Sequence, residues 1–226
     1  MHNKRAIFGQ PVESERIVRP VRPRDAATLV AWREGASGLE VLMGRRAGRH
    51  RFVPHHYVFP GGRVDRRDFD ADVRSPLKDA VLDGLCASCR PRLAHALAVA
   101  AARETWEETG LALGEALRPD LDGLDYILRA ITPAQSPIRF HARFFAVEAA
   151  RLSGTLKGNG ELLDLGWRPV AECLRLPIVD VTEFLLRRLL AGPPAQAPGQ
   201  GVHLFSFRSG KAVVGQRGVS SRACAR

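Results

Sequence analysis

Residues 103–111 read Arg103-Glu104-Thr105-Trp106-Glu107-Glu108-Thr109-Gly110-Leu111, and the placement of their three glutamates decides how the chain is read. They close the clearest helical pattern in the sequence, an Ala-rich run from Pro91 to Thr109 with proline at its start and glycine at its end. On a helix, Glu104, Glu107 and Glu108 stand at i, i+3 and i+4 and share an arc of about 100°. Like charges so close repel one another, and the C-terminal end of a helix favours cations over carboxylates. The same arc carries Leu93, Leu97, Ala100 and Ala101 one and two turns earlier. The opposite side carries Val99, Ala102 and Trp106, which are expected to pack on a sheet. Helix stability alone would not put three carboxylates here. A bound cation removes the repulsion, and a hard divalent ion such as Mg²⁺ takes oxygen ligands. The competing reading is a solvated acidic face.

Upstream of this helix, residues 57–59 form a short apolar strand that is stopped by Pro60-Gly61-Gly62. Such a turn exposes backbone and lets a ligand come close. A basic loop at 45–56, with Arg45, Arg46, Arg49 and Arg51, precedes it. Residues 26–33 and 39–43 read as a hairpin around a turn at 35–38. Residues 63–74 are charged and loop-like, and 76–85 suit a short helix. Downstream, strands are expected at 126–131, 140–147 and 162–167, helices at 169–174 and 181–190, and a terminal hairpin around Ser209-Gly210. Interleaved strands and helices mean α/β or α+β. Residues 1–24 read as a basic, proline-dotted arm, 25–191 as the main domain, and 192–226 as a Gly/Pro linker, hairpin and basic tail.

The composition narrows the class. The 226 residues carry a formal net charge of +10, with 34 basic against 24 acidic side chains and 45% hydrophobic residues. That balance excludes a wholly disordered chain, and the length buries a core without disulfides. The excess is almost all arginine, which favours bidentate phosphate or carboxylate contacts, so a polyanionic partner is expected. Cys86 and Cys89 make one CxxC, while Cys173 and Cys224 stand alone. No second ligand pair sits at zinc spacing, so plain thiols are expected. No signal-peptide core or membrane-length apolar run is found, which makes a cytoplasmic setting the expectation.

Arg103-Glu104-x-x-Glu107-Glu108-x-Gly110-Leu111 resembles the second half of the Nudix box, G-x5-E-x7-R-E-U-x-E-E-x-G-U, with U apolar. Gly62 suits the opening glycine, and Asp68 stands where the box has its first glutamate. Residues 69–102 replace the seven-residue spacer, so the box is split by an insertion, placed at about 69–90. Thr105 takes an apolar slot. The chain is similar to the coenzyme A-type branch of Nudix hydrolases, whose signature is matched in register by Leu42, Arg46, Ala47, Arg51 and Phe59-Pro60-Gly61-Gly62, with Met43, Gly44 and His55 departing from it.

The resemblance implies a Nudix-type α/β/α sandwich with a mixed β-sheet. It also implies metal-dependent hydrolysis of a nucleoside diphosphate linked to another moiety. Coenzyme A or an acyl derivative is the first-choice substrate, with ADP-ribose, NADH or dinucleoside polyphosphates as alternatives. Glu104, Glu107 and Glu108 would hold Mg²⁺ (or Mn²⁺), with a carbonyl of Gly61 or Gly62. Glu104 or Glu161 would activate the water, and Arg103 would orient its neighbours by ion pairing. Arg46, Arg51 and Gly61 would meet the phosphorylated small-molecule substrate. Phe52, Tyr57 and Trp167 are either base-stacking or core residues. Nudix-like folds often dimerise, which leaves a homodimer open. The rival reading is a non-catalytic RNA- or nucleotide-binding module; the basic arm favours it and the intact glutamate trio argues against nucleic acid.

Overall fold

A computed structural model describes residues 21–48, 52–194 and 201–216 of the chain. The first two strands, β1 (Arg24–Gly35) and β2 (Gly38–Arg46), form the expected hairpin, closed by the pair Gly35 and Gly38. Two short strands follow: β3 (Tyr57–Val58) beside β2 and β4 (Gly61–Arg63) beside β1. Helices α1 (Asp79–Cys86) and α2 (Pro91–Thr109) come next. Then come β5 (Leu111–Glu115), β6 (Arg118–Pro119), β7 (Asp125–Ile131), β8 (Phe140–Glu148), β9 (Leu152–Gly154) and β10 (Leu162–Pro169). Helices α3 (Val170–Cys173) and α4 (Asp180–Leu189) and strands β11 (His203–Arg208) and β12 (Lys211–Gln216) complete the described chain.

The main sheet runs in the order β10-β2-β1-β8-β7-β11-β12, with β3 and β4 off that path. It is mixed: β1 pairs with β8 and β7 with β11 in parallel, the other pairs being antiparallel. Successive residues point to opposite faces of a strand, and both faces here are apolar. Leu29, Leu42 and Phe145 face a layer made by α1 and α2. Val30, Val41, Met43 and Phe144 face a second layer with Leu185, Leu186 and Leu189 of α4. The result is the expected α/β/α sandwich. No helix among the described residues is long and apolar enough to cross a membrane.

The structure also adds to and corrects the sequence reading. A small sheet, β6-β5-β9, was not anticipated. The charged stretch at 63–74 contains a 3-10 turn at Arg66–Phe69 that buries Asp68. Trp106, expected on the sheet, is 39% exposed. The buried positions in the last turn of α2 are Thr105, Glu108 and Thr109 instead. The two threonines tolerate burial because their hydroxyls bond back to the carbonyls of Ala101 and Thr105, at 2.7 and 2.6 Å. The expected insertion at about 69–90 contains α1, whose Val81 and Leu85 join the core together with Leu97 of α2. Cys86 and Cys89 pack against that core, and the Cys89 thiol donates to the Leu85 carbonyl. Cys173 is buried among the residues of the other layer, and Cys224 lies outside the described residues. Around Ser209-Gly210, both at positive φ (49° and 77°), the terminal hairpin turns as expected. Through β11 it extends the main sheet.

Candidate active site

Two glycines set the site, and each is required by a contact. β4 lies against β1 with Gly61 opposite Thr28 and Gly62 opposite Ala27. At Gly61, φ is +156° and a Cβ would stand 2.5 Å from the Ala27 carbonyl oxygen. At Gly62, a Cβ would stand 2.3 Å from the carboxyl carbon of Glu104. Glu104 of α2 therefore lies directly on the Gly62 backbone. One turn later, Glu108 accepts a hydrogen bond from the Gly61 N–H at 2.9 Å. Two of the three glutamates thus border one backbone turn.

Arg103 organises the rest. Its Nε and Nη2 donate to the two oxygens of Asp68 at 2.8 and 3.0 Å, a bidentate fork. Its Nη1 donates to Glu104 at 2.9 Å and to Glu107 at 3.1 Å, and Nη2 also reaches the Arg63 carbonyl. Asp68 is only 1% exposed and accepts the Asp65 N–H at 2.7 Å as well. Asp68, expected to stand at the first acidic position of the motif, is thus fastened to Arg103 across 34 intervening residues. Arg67 takes the other oxygen of Glu107 at 2.8 Å. Glu104 and Glu107 thus share one guanidinium nitrogen, and no group of three or more His, Cys, Asp or Glu side chains gathers around one point among the described residues.

Burial dominates the electrostatics. Glu108, 3% exposed, is pushed up to about 8 by loss of water; the Gly61 N–H and the charge of Arg46 oppose the shift, while Glu104 and Glu161 add to it. Glu104 is raised for the same reason, with Arg103 opposing. Carboxylates held this way gain most from a cation beside them.

Arg46 and Glu161 reach the same place from the sheet. The Glu161 carbonyl accepts the Ala47 N–H at 3.1 Å, and Asn159 caps the Glu161 N–H at 2.8 Å. The loop before Glu161 crosses the end of α2, where the Lys157 N–H meets the Thr109 carbonyl at 2.8 Å. Gly110, at φ +73°, lets that loop pass: a Cβ there would stand 2.6 Å from the Thr155 carbonyl oxygen. Arg51 lies outside the described residues. Of the aromatic residues, Phe52 meets Phe140 edge-on at 4.9 Å. Trp167 lies under the Arg33 guanidinium at 4.7 Å. Tyr57 is buried and donates its hydroxyl to Asp164. Sequence reasoning did not find Arg67 or Asp164: the first is one arginine among many in a charged stretch, and the second sits in a weakly patterned strand.

No protein-family model and no curated protein matches the chain. Solved structures do. A Nudix hydrolase from Alicyclobacillus acidocaldarius is 31% identical, covering 77% of this chain and 94% of its own, with a TM-score of 0.58. An Ap4A hydrolase of C. elegans, solved as a binary complex, is 19% identical, with 74% and 96% covered and a TM-score of 0.44. The Nudix domain of Shewanella oneidensis NrtR, solved with ADP ribose, is 13% identical, with 76% and 88% covered and a TM-score of 0.48.

Proposed function

The chain belongs to the Nudix hydrolases, enzymes that cleave phosphorus anhydrides, and from that membership we propose a divalent-metal-dependent pyrophosphohydrolase for coenzyme A or an acyl derivative. The observation that carries the catalytic part is the contact of Glu104 and Glu108 with the Gly61-Gly62 turn.

Nudix hydrolases generally need divalent metal ions, and the residues here fit one. The donors are hard oxygens, and burial raises both carboxylates in a way that a neighbouring cation would relieve. The Gly62 cradle leaves no room for a side chain. Glu104, Glu107 and Glu108, with the Gly62 carbonyl, are the residues that would hold Mg²⁺ or Mn²⁺. When bound, such ions neutralise pyrophosphate charge and make water more acidic.

The protein's own groups do the rest. Arg103 occupies Oε1 of Glu104, so Oε2 is the oxygen assigned to the attacking water. The water oxygen bonds to phosphorus as the bridging P–O bond breaks. Glu104 takes the proton, with Glu161 as the other candidate base. Asp68 and Arg103 hold Glu104 in place. Arg46, beside Glu108, binds substrate phosphate together with Arg51 and the Gly61 turn. The match of Leu42, Arg46, Ala47 and Phe59-Pro60-Gly61-Gly62 to the coenzyme A signature supports the substrate choice.

The test is a Mg²⁺-dependent release assay on coenzyme A, ADP-ribose, NADH and diadenosine polyphosphates, with wild type and Glu104→Gln. Coenzyme A is expected to be turned over fastest, and Glu104→Gln to lower kcat by about 10²–10⁴. Preference for another member of the panel would overturn the substrate assignment. Full turnover by Glu104→Gln would overturn the role of Glu104.

A further inference from the structure

Tyr57 and Asp164 meet across β2. In register, Arg45 of β2 has Tyr57 of β3 on one side and Leu163 of β10 on the other. Just past Leu163 the β10 pairing slips, and Asp164 takes φ +49°, a left-handed conformation that aspartate adopts more readily than most residues. The bulge turns its carboxylate towards β3, where it accepts the Tyr57 hydroxyl. Arg168 fixes the same bulge from the far side. It donates to the Asp164 carbonyl at 2.9 Å, pairs with its carboxylate at 2.8 Å, and lies over the Tyr57 ring at 5.2 Å. The Tyr57 ring is buried, and its N–H is tied to the Pro177 carbonyl at 2.8 Å.

The two strands so clasped both border the site. The chain entering β3 holds Arg46 by the backbone: the Arg46 N–H donates to the His56 carbonyl at 2.9 Å, and the His55 N–H donates to the Arg46 carbonyl at 3.0 Å. β10 opens directly after Glu161, whose carbonyl receives the next N–H along, that of Ala47. Arg46 therefore has one strand of the clasp on each side.

We propose that Tyr57 and Asp164 are positioning residues for substrate binding, a clasp across β2 that keeps Arg46 beside Glu108 by fixing β3 and β10 on either side of it. The proposal rests on the reading of Arg46 as a ligand of substrate phosphate. The clasp touches no reacting atom, so its loss shows in affinity and leaves the chemical step alone. Its hydrogen bond also holds the proton on Tyr57, whose hydroxyl is raised above the ordinary range chiefly by Asp164.

The experiment compares Tyr57→Phe, Asp164→Asn, Asp164→Ala, Arg46→Gln and Arg46→Gln/Tyr57→Phe, reading KM and kcat on the substrate turned over fastest and the calorimetric Kd for ADP with Mg²⁺. Tyr57→Phe is expected to raise KM and Kd about tenfold with kcat within about twofold. Asp164→Asn, which keeps an acceptor and tolerates positive φ, is expected to rescue most of what Asp164→Ala loses. In the Arg46→Gln background, Tyr57→Phe is expected to add nothing. An equal rise in that background, or a fall in kcat at unchanged KM, would overturn the clasp. An Arg46→Gln protein with wild-type KM and Kd would instead overturn the reading of Arg46 on which it rests.

Discussion

Replacing Asp68 by alanine is expected to destabilise the protein by about 3 kcal/mol. Breaking a buried ion pair by removing one partner costs about 3–5 kcal/mol, because the survivor is left charged and poorly hydrated. Arg103 is that survivor, with 12% side-chain exposure. It loses the two-pronged contact at 2.8 and 3.0 Å but keeps Glu104, Glu107 and the Arg63 carbonyl, which places the cost at the lower end. The Asp65 N–H loses its acceptor as well. For a chain of this length, about 3 kcal/mol corresponds to a fall in Tm of about 6–12 °C. Asp68→Asn retains one acceptor for the guanidinium and should cost less, about 1.5–3 kcal/mol. Urea denaturation of Asp68→Ala, Arg103→Met and the double variant gives the coupling between the two side chains. A coupling of about 2 kcal/mol or more is expected. If Asp68→Ala lies within about 0.5 kcal/mol of wild type, or the two losses simply add, the pair does not fasten the halves of the motif and the reasoning fails.

Gly62→Ala should lower Mg²⁺-dependent turnover by about 10²-fold, because a Cβ 2.3 Å from the Glu104 carboxyl carbon must push that group aside; steady-state kinetics with unchanged far-UV circular dichroism would bear this out, and wild-type kcat would refute it. His141, 17% exposed and in contact with Arg129, is lowered to about 4 by burial, with Arg143 and Arg129 adding to the shift. The unfolded chain therefore binds the extra proton first. The stability this group contributes is complete above pH 6.5 and is lost as the pH falls towards 4, by roughly 3 kcal/mol in all. His141→Gln should flatten that part of the stability profile in urea titrations, and an undiminished slope would count against the assignment. Trp106→Gln should change stability by no more than about 0.5 kcal/mol, as an exposed position allows; a loss above about 2 kcal/mol in thermal melts would contradict the observed exposure.

The glutamate-bearing helix α2 was legible because its punctuation is local. Pro91 sits at its first positions, and Gly110 ends it in the left-handed conformation. The glutamates stood out because their placement contradicts helix electrostatics. The paired strands of the large sheet were legible through alternation, as in Val41, Leu42 and Met43, which divide between two apolar layers. Three features depended on partners remote in sequence and left no local trace. β5 is five residues long and is held by β9, some forty residues on. Asp68 lies in a stretch whose charge reads as solvated, and only Arg103, 35 residues later, explains its burial. The clasp across β2 needs a tyrosine and an aspartate 107 residues apart. Trp106 misled for another reason: bulk and hydrophobicity suggested burial, yet the threonines beside it, each able to satisfy its own hydroxyl along the helix, took the interior positions.

The parallel pairing of β11 with β7 has a consequence for the order in which a ribosome delivers the chain. β8 covers one side of β7 soon after synthesis, but the other side waits for residues 203–208. Until then a nascent chain presents an open sheet edge, the kind of surface that captures strands of neighbouring molecules. Shortening the gene before this hairpin should therefore show first as loss of soluble yield, with the Asp68–Arg103 apparatus intact in whatever material remains in solution.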